Sequence, residues 1–195
     1  MTQRHTPWEA LAAWWTEAEE AEPRVHDAAQ LATVDARGFP TLRTVLLKSW
    51  GPEQGLVFYT NYTSRKARAL DATGRAALLL HWKSLERQVI AEGVVERADP
   101  ATSDAYFASR PRGSQLGAWA SDQSSPLEER GALEERLAEI EARFAGEPVP
   151  RPPFWGGYHL RPVRFEFWQG RLDRLHHRVE WTWRDGAWSS CLLYP

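Results

Sequence analysis

The sequence predicts a mainly β protein with inserted helices, an α+β chain whose strands form an antiparallel barrel, and three observations carry that prediction. About seven short β-patterned segments follow one another with turn residues between them, the hairpin order of antiparallel sheet. One segment, Arg87 to Arg97, places Val89, Ala91, Gly93 and Val95 on one face and Gln88, Ile90, Glu92 and Val94 on the other. Neither face is purely polar, so the sheet has to be closed or covered. Cap-and-proline signatures then set one helix before the first strand and others between later strands.

The chain opens with Thr6-Pro7-Trp8-Glu9: a hydroxyl cap, a proline at the first helical position and a glutamate that can return the capping bond. Trp8, Leu11, Trp15 and Ala18 recur at helical spacing until Pro23, a stripe that reads as packing. Gln30 to Asp35 reads as the first strand, the turn Gly38-Phe39-Pro40 leads into a second from Thr41, and Gly55 to Thr60 returns as a third. Ser64 caps a short helix ending near Gly74, and Ala76 to Trp82 and Arg87 to Arg97 follow as strands. Asp99-Pro100 opens a helix carrying Tyr106, Phe107 and Arg110, which Pro111 stops. Ser125-Pro126-Leu127-Glu128 is a second capping box, and Leu133, Leu137, Ile140 and Phe144 form the apolar stripe of the longest helix. Strands resume with Val163 to Gln169, a turn at Gly170, Arg171 to His177, and a hairpin turned by Asp185-Gly186. The whole chain, 1–195, reads as one domain, with 1–22 an N-terminal helix, 99–145 a helical insertion and Pro148 to Pro153 a linker within it.

Composition excludes several classes. A formal net charge of -2 over 195 residues gives no field for nucleic acid or an anionic membrane, so basic residues matter as a local cluster. Cys191 is the only cysteine, which rules out an intrachain disulfide framework. No apolar run is long enough to span a bilayer and no secretory signal pattern opens the chain, so a soluble cytoplasmic protein is expected. The 11 tryptophans imply much buried aromatic area, in the core or at a subunit contact.

The chemistry concentrates in RTVLLKSWGPEQGLVFYTNYTSRK, Arg43 to Lys66, where Arg43, Lys48, Arg65 and Lys66 surround two strands and a helix start. Free N–H groups at a helix N-terminus and nearby guanidinium groups suit a phosphate, which would also offset cations placed against the helix dipole. The competing reading is two strands with solvated basic ends. Arg110-Pro111-Arg112-Gly113-Ser114-Gln115 is a second cationic turn with hydroxyl and amide donors, either another anion site or a loop whose arginines pair with acids. Arg174 and His176, two apart on the strand Arg171 to His177, share one strand face and can address one ligand. Nothing around His176 and His177 has zinc spacing, so no metal site is expected.

RTVLLK, FYTNYTSRK, LERQV, YFASRPRGSQLGAWAS, QSS, FWGGY, EFWQG and RLHHR, in this order and spacing from Leu31 onward, together resemble the pyridoxamine 5'-phosphate oxidase family of vitamin B6 metabolism. The resemblance implies an antiparallel split β-barrel and a homodimer holding FMN at its interface. It implies oxidation of pyridoxamine or pyridoxine 5'-phosphate to pyridoxal 5'-phosphate with O2 as acceptor. It places Arg43, Thr44, Val45, Leu46, Leu47, Lys48, Tyr59, Thr60, Arg65, Lys66 and Gln88 against FMN from one chain, with Gln123, Ser124, Trp168 and Arg178 completing the site across the dimer. Lys48, Tyr106, Arg110 and Ser114 are implied at the substrate phosphate, and Arg174, Leu175 and His176 near the pyridine ring, with Arg174 and His176 catalytic. Three departures bear on the substrate side: only Met1 to Thr6 precede the first helix, so the family's basic N-terminal cover is expected to be absent; His177 stands where aspartate is usual; and Leu192 stands where arginine is common. Two alternatives remain: a flavin oxidase of phenazine-pathway type acting on another ring, and a non-catalytic FMN-binding protein.

Overall fold

The computed structural model describes residues 6–195. The N-terminal cover expected to be absent concerns residues 1–5, which lie outside the described residues. Helix α1 (Pro7–Ala21) begins as its capping box requires: Thr6 accepts from the Glu9 N–H, and the Glu9 side chain accepts from the Thr6 N–H. It buries Trp8, Leu11, Trp14 and Ala18. Trp14 takes the buried place that helical spacing alone gave to Trp15, which packs half-buried beside it. Each such large side chain stabilises by about 1.5–3 kcal/mol when fully withdrawn from water.

The strands follow as β1 (Ala28–Val34), β2 (Pro40–Gly51), β3 (Gly55–Asn61), then α2 (Arg65–Thr73), β4 (Arg75–Trp82) and β5 (Arg87–Arg97). Helices α3 (Pro100–Ser109), α4 (Arg112–Ala120) and α5 (Arg130–Arg143) precede β6 (Trp155–Gln169), β7 (His177–Arg184) and β8 (Ala187–Leu193). All pairings are antiparallel, in the order β3-β2-β1-β4-β5-β6-β7-β8, and β3 also pairs with β6. That last pairing closes β1 to β6 into a barrel and leaves the β7–β8 hairpin as an extension of one wall. The main core fills the barrel and the space under α1; a second cluster, Phe107, Leu116, Phe144, Val149 and Trp155, seats the helical insertion on the start of β6.

Four sequence expectations need correction. Strand β6 starts at Trp155, eight residues before Val163, because Gly156 and Gly157, which weaken a strand pattern, are needed for close packing: a Cβ at Gly156 would lie 2.0 Å from the Tyr62 hydroxyl. The cationic turn after Pro111 is the first turn of α4, with the Ser114 N–H bonded to the Pro111 carbonyl. Helix α5 begins at Arg130 with Glu129 as an N-cap that makes no side-chain bond, so the Ser125 capping box is unused, and α5 at 14 residues is shorter than α1 at 15. Arg171 to His177 is not a strand. It contains a short 3-10 turn, Leu172–Arg174, in which Asp173 and Arg174 take φ of 55° and 59°, left-handed values that break strand geometry.

A bulge in β6, with Val163 the extra residue opposite Glu92 and Gly93, brings its backbone close to β5: a Cβ at Gly93 would sit 2.0 Å from the Arg161 carbonyl oxygen. Gly93→Ala is therefore expected to destabilise the protein by about 3 kcal/mol, the upper range for overpacking. Urea unfolding measures this, and an unchanged midpoint would show that the bulge relaxes freely.

Candidate functional site

The Asp-free end of α2 gathers three cations. Ser64 caps α2 by accepting from the Ala67 N–H, which fixes Arg65 and Lys66 in its first turn. Lys66 Nζ donates to Thr60 Oγ1 at 2.9 Å and to Gln123 Oε1 at 2.8 Å, both neutral acceptors. Arg43, on the inward face of β2, donates to the Leu31 carbonyl, Thr33 and Thr41, also neutral. Among the described residues none of Arg43, Arg65 and Lys66 has an acidic partner. Burial, reinforced by Arg43, pulls the Lys66 ammonium from 10.5 to about 8, and burial followed by Arg65 lowers Arg43. Arg43 is repelled by Arg65 and itself repels Lys66, and with Arg43 and Lys66 held on neutral acceptors the three charges favour an incoming anion.

Beside this cluster opens a cleft of about 270 Å³ lined by Asn61, Arg110, Ser114, Gly117, Ser121, Gln123 and Trp155, among others. Arg110 lies over the Trp155 ring at 4.7 Å, and its Nη1 is buried without a hydrogen-bond partner. Burial lowers its pKa. A buried guanidinium donor without an acceptor is costly, and the guanidinium here lies over the Phe107 and Trp155 rings at the wall of a polar cleft. Tyr106 is stacked on Tyr59 at 3.9 Å behind Trp155, which stiffens this wall. Gln123 belongs to both places, since it lines the cleft and accepts from Lys66 and Thr60 of its own chain, whereas the resemblance implies that it reaches FMN across a dimer. Ser124 beside it holds φ of 74°. Sequence reading missed Asn61, Trp155, Thr33 and Thr41; the parity of Thr41 with Arg43 on one strand face was the available signal for the last pair.

A third group lies on the outer face of the sheet. Gln88, Trp168 and Arg178 are cross-strand partners in one row over β5, β6 and β7. Arg178 is held by Glu166 at 2.8 Å and by the Tyr194 carbonyl. His176 packs against Trp168 with ring centres 4.7 Å apart, and its Nδ1 accepts from the Arg171 N–H. In the neutral imidazole the proton then sits on Nε2. Arg174 and Leu175 are exposed in the same loop. The shared strand face expected for Arg174 and His176 does not exist: Arg174 ends the turn Leu172–Arg174 and His176 follows it in the same loop. Lys48 lies apart from the cation cluster within one chain: it is the extra residue of a bulge in β2, pairs with Asp27 at 2.8 Å, and lies about 16 Å along the strand from Arg43. Thr44 and Leu46 face outward, while the Val45 and Leu47 side chains are buried in the core.

Residues 15–144 match the family described as pyridoxamine 5'-phosphate oxidase, and residues 155–195 match the pyridoxine 5'-phosphate oxidase C-terminal dimerisation region. The chain belongs to the pyridoxamine 5'-phosphate oxidase family. A pyridoxine/pyridoxamine 5'-phosphate oxidase of Rubrobacter xylanophilus is 54% identical over 97% of this chain and 87% of its own length. One from Brucella canis is 50% identical over 100% and 96%. Among solved structures, PhzG from Burkholderia lata in complex with tetrahydrophenazine-1-carboxylic acid superposes with a TM-score of 0.93 at 32% identity, covering 100% of this chain and 95% of that one. A pyridoxamine 5'-phosphate oxidase-related, FMN binding protein from Nostoc punctiforme has a TM-score of 0.77 at 21% identity, covering 99% and 100%, and shares the fold.

For this family member the depressed Lys66 pKa has a measurable consequence. In the free protein Lys66 loses its proton as pH rises through about 8, while an unfolded lysine keeps it to 10.5, so the cost of burying the charge is full below 8 and relieved between the two. A bound phosphate monoester restores the charged form. Its affinity should therefore fall above pH 8, and binding at pH 9 should take up a proton, seen by calorimetry in buffers of different ionisation enthalpy. No proton uptake at pH 9 would remove Lys66 from the anion site.

Proposed function

We propose that the protein is an FMN-dependent oxidase that converts pyridoxamine 5'-phosphate, pyridoxine 5'-phosphate or both to pyridoxal 5'-phosphate, with O2 as acceptor and H2O2 as product. The observation that carries this reading is the pair of adjacent cationic places, one of three acid-free cations and one around Arg110, whose Nη1 has no partner, joined through Gln123. Two phosphorylated ligands need two cradles. Relatives at 54% and 50% identity bear the name of this activity.

Arg43, Arg65 and Lys66, with Thr60, would hold the FMN phosphate, and the donor set fits a dianion because no carboxylate competes for it. FMN when bound supplies the two-electron acceptor that no side chain of this chain can be. Arg110 and Ser114, with Tyr106 stacked behind them, would hold the substrate phosphate. Gln88 and Trp168 would border the flavin, with Arg178 kept in line by Glu166. His176 would donate through Nε2 to an acceptor atom of the substrate ring, and Arg174 would add a free guanidinium on the same side. Lys48, Gln88, Trp168, Arg174 and His176 lie away from the cleft within one chain, so we assign their approach to it to a second copy. Exposed Leu42 (66%), Leu46 (46%), Leu172 (88%), Leu175 (67%) and Leu192 (83%) give that copy an apolar surface to cover.

The likeness to PhzG favours one second reading, oxidation of a reduced tricyclic carboxylate by the same flavin cradle. Flavin-loaded protein given pyridoxamine 5'-phosphate under air should yield pyridoxal 5'-phosphate and peroxide in equal amounts. Turnover only of a tetrahydrophenazine carboxylate would establish the second reading, and turnover of neither would overturn both. Arg110→Ala should raise KM about tenfold or more with kcat nearly unchanged, because it removes binding common to ground and transition states. His176→Ala should instead slow anaerobic flavin reduction at saturating substrate about tenfold. Wild-type flavin reduction in that variant would make His176 a packing residue of Trp168.

A further inference from the structure

We propose that Thr33 and Thr41 are positioning residues that aim Arg43, leaving one edge of its guanidinium open for two oxygens of a single phosphate. The proposal rests on the reading of the Arg43, Arg65 and Lys66 cluster as the FMN phosphate site. Arg43 Nη1 donates to the Leu31 carbonyl at 3.0 Å and to Thr33 Oγ1 at 2.8 Å, so both of its hydrogens are used. Nη2 donates to Thr41 Oγ1, and the two threonine hydroxyls lie 3.0 Å from each other. A guanidinium carries five N–H groups. Three have partners here, and what remains is Nε–H and the second hydrogen of Nη2. These two point the same way from one edge of the plane, the arrangement that matches two oxygens of a phosphate.

The chemistry of the anchors matters as much as their direction. Hydroxyl and carbonyl oxygens hold the guanidinium without cancelling its charge. Elsewhere on the sheet the same protein holds arginines with carboxylates: Arg164 meets Glu92, Glu166 and Glu180, and Arg178 meets Glu166. Those side chains are fixed and neutralised. Arg43 is fixed and still charged. Thr33 is 2% exposed, and its backbone pairs directly with Thr41 across β1 and β2, so neither anchor can drift without shifting the ladder. Without them the guanidinium keeps only the Leu31 carbonyl and gains rotational freedom, which has to be lost again when an anion binds.

The test compares FMN with riboflavin, which lacks the phosphate, by fluorescence titration of flavin-free protein. Wild type is expected to prefer FMN strongly. The Thr33→Val/Thr41→Val double variant keeps side-chain shape and should lose about tenfold of that preference, through FMN alone, with riboflavin affinity unchanged. Thr33→Ser, which keeps the hydroxyl, should retain the wild-type preference. If wild type binds the two flavins equally, the phosphate-site reading itself fails. If wild type prefers FMN and the double-valine variant keeps that preference in full, or loses both ligands equally with a lowered Tm, the hydroxyls are strand packing and the positioning role is overturned.

Discussion

Strand β6 has to serve three neighbours with two edges, and that constraint organises the molecule. One edge runs along the whole of β5, from Tyr158 to Gln169, while the other pairs with β3 from Trp155 to Leu160 and with β7 from Arg164 to Gln169. The changeover falls around Pro162, which has no N–H to give to either partner. The first half closes the barrel and presses β3 against it so tightly that Gly156 and Gly157 admit no side chain under Tyr62 and Tyr59. Tyr59, Thr60 and Asn61 are thereby set beside Trp155 and the cleft. The second half carries Trp168 into register with Gln88 and Arg178. Both halves of the site's polar equipment thus descend from one strand.

Electrostatics works against the cluster that this geometry builds. Like charges near one another and partly out of water raise the free energy of the folded chain, and the lowered values of Lys66 and Arg43 express that cost. Natural proteins are only marginally stable, so an uncompensated cluster is a burden. The chain tolerates it by setting neutral acceptors around Arg43 and Lys66, whereas Arg164 elsewhere on the sheet is met by Glu92, Glu166 and Glu180. An anion entering the cluster relieves repulsion in addition to making hydrogen bonds. The protein is therefore stabilised most by the ligand it lacks a side chain to imitate.

Local chemistry was readable from the residues at most self-contained positions, the unused Ser125 capping box being the exception. The Thr6 box, the Ser64 and Asp99 caps and the Asp185-Gly186 turn, with φ of 51° and 80°, all depend on neighbours within a few positions, and each stands as written in the sequence. The cation pair Arg65 and Lys66 was readable for the same reason. Failures came where distant chain decided. The start of β6 looks like a glycine turn until Tyr62 and Tyr59 are packed on it. Arg174 and His176 alternate like strand residues, and only the left-handed backbone at Asp173 and Arg174 shows otherwise. Arg110 to Gln115 reads as a loop because proline and glycine punctuate it, yet Leu116 packing into the second core cluster makes it helical.

The distribution of site residues also says something about how association and binding are coupled. Arg43, Arg65, Lys66 and Arg110 meet within one chain, while the row of Gln88, Trp168 and Arg178 sits on an outer sheet face whose strands also carry exposed apolar residues, Val94 on β5 and Val163 on β6. On the proposed reading, a second copy covers that face and brings the row to the cradle of its partner. Cofactor binding then buries the same surfaces that association buries, and each process strengthens the other by the same free energy. The exposed leucines of β2 and of the 170–176 loop are therefore not a defect of the single chain. On that reading they are the apolar part of the surface that the incoming subunit covers, beside the row with its tryptophan and histidine.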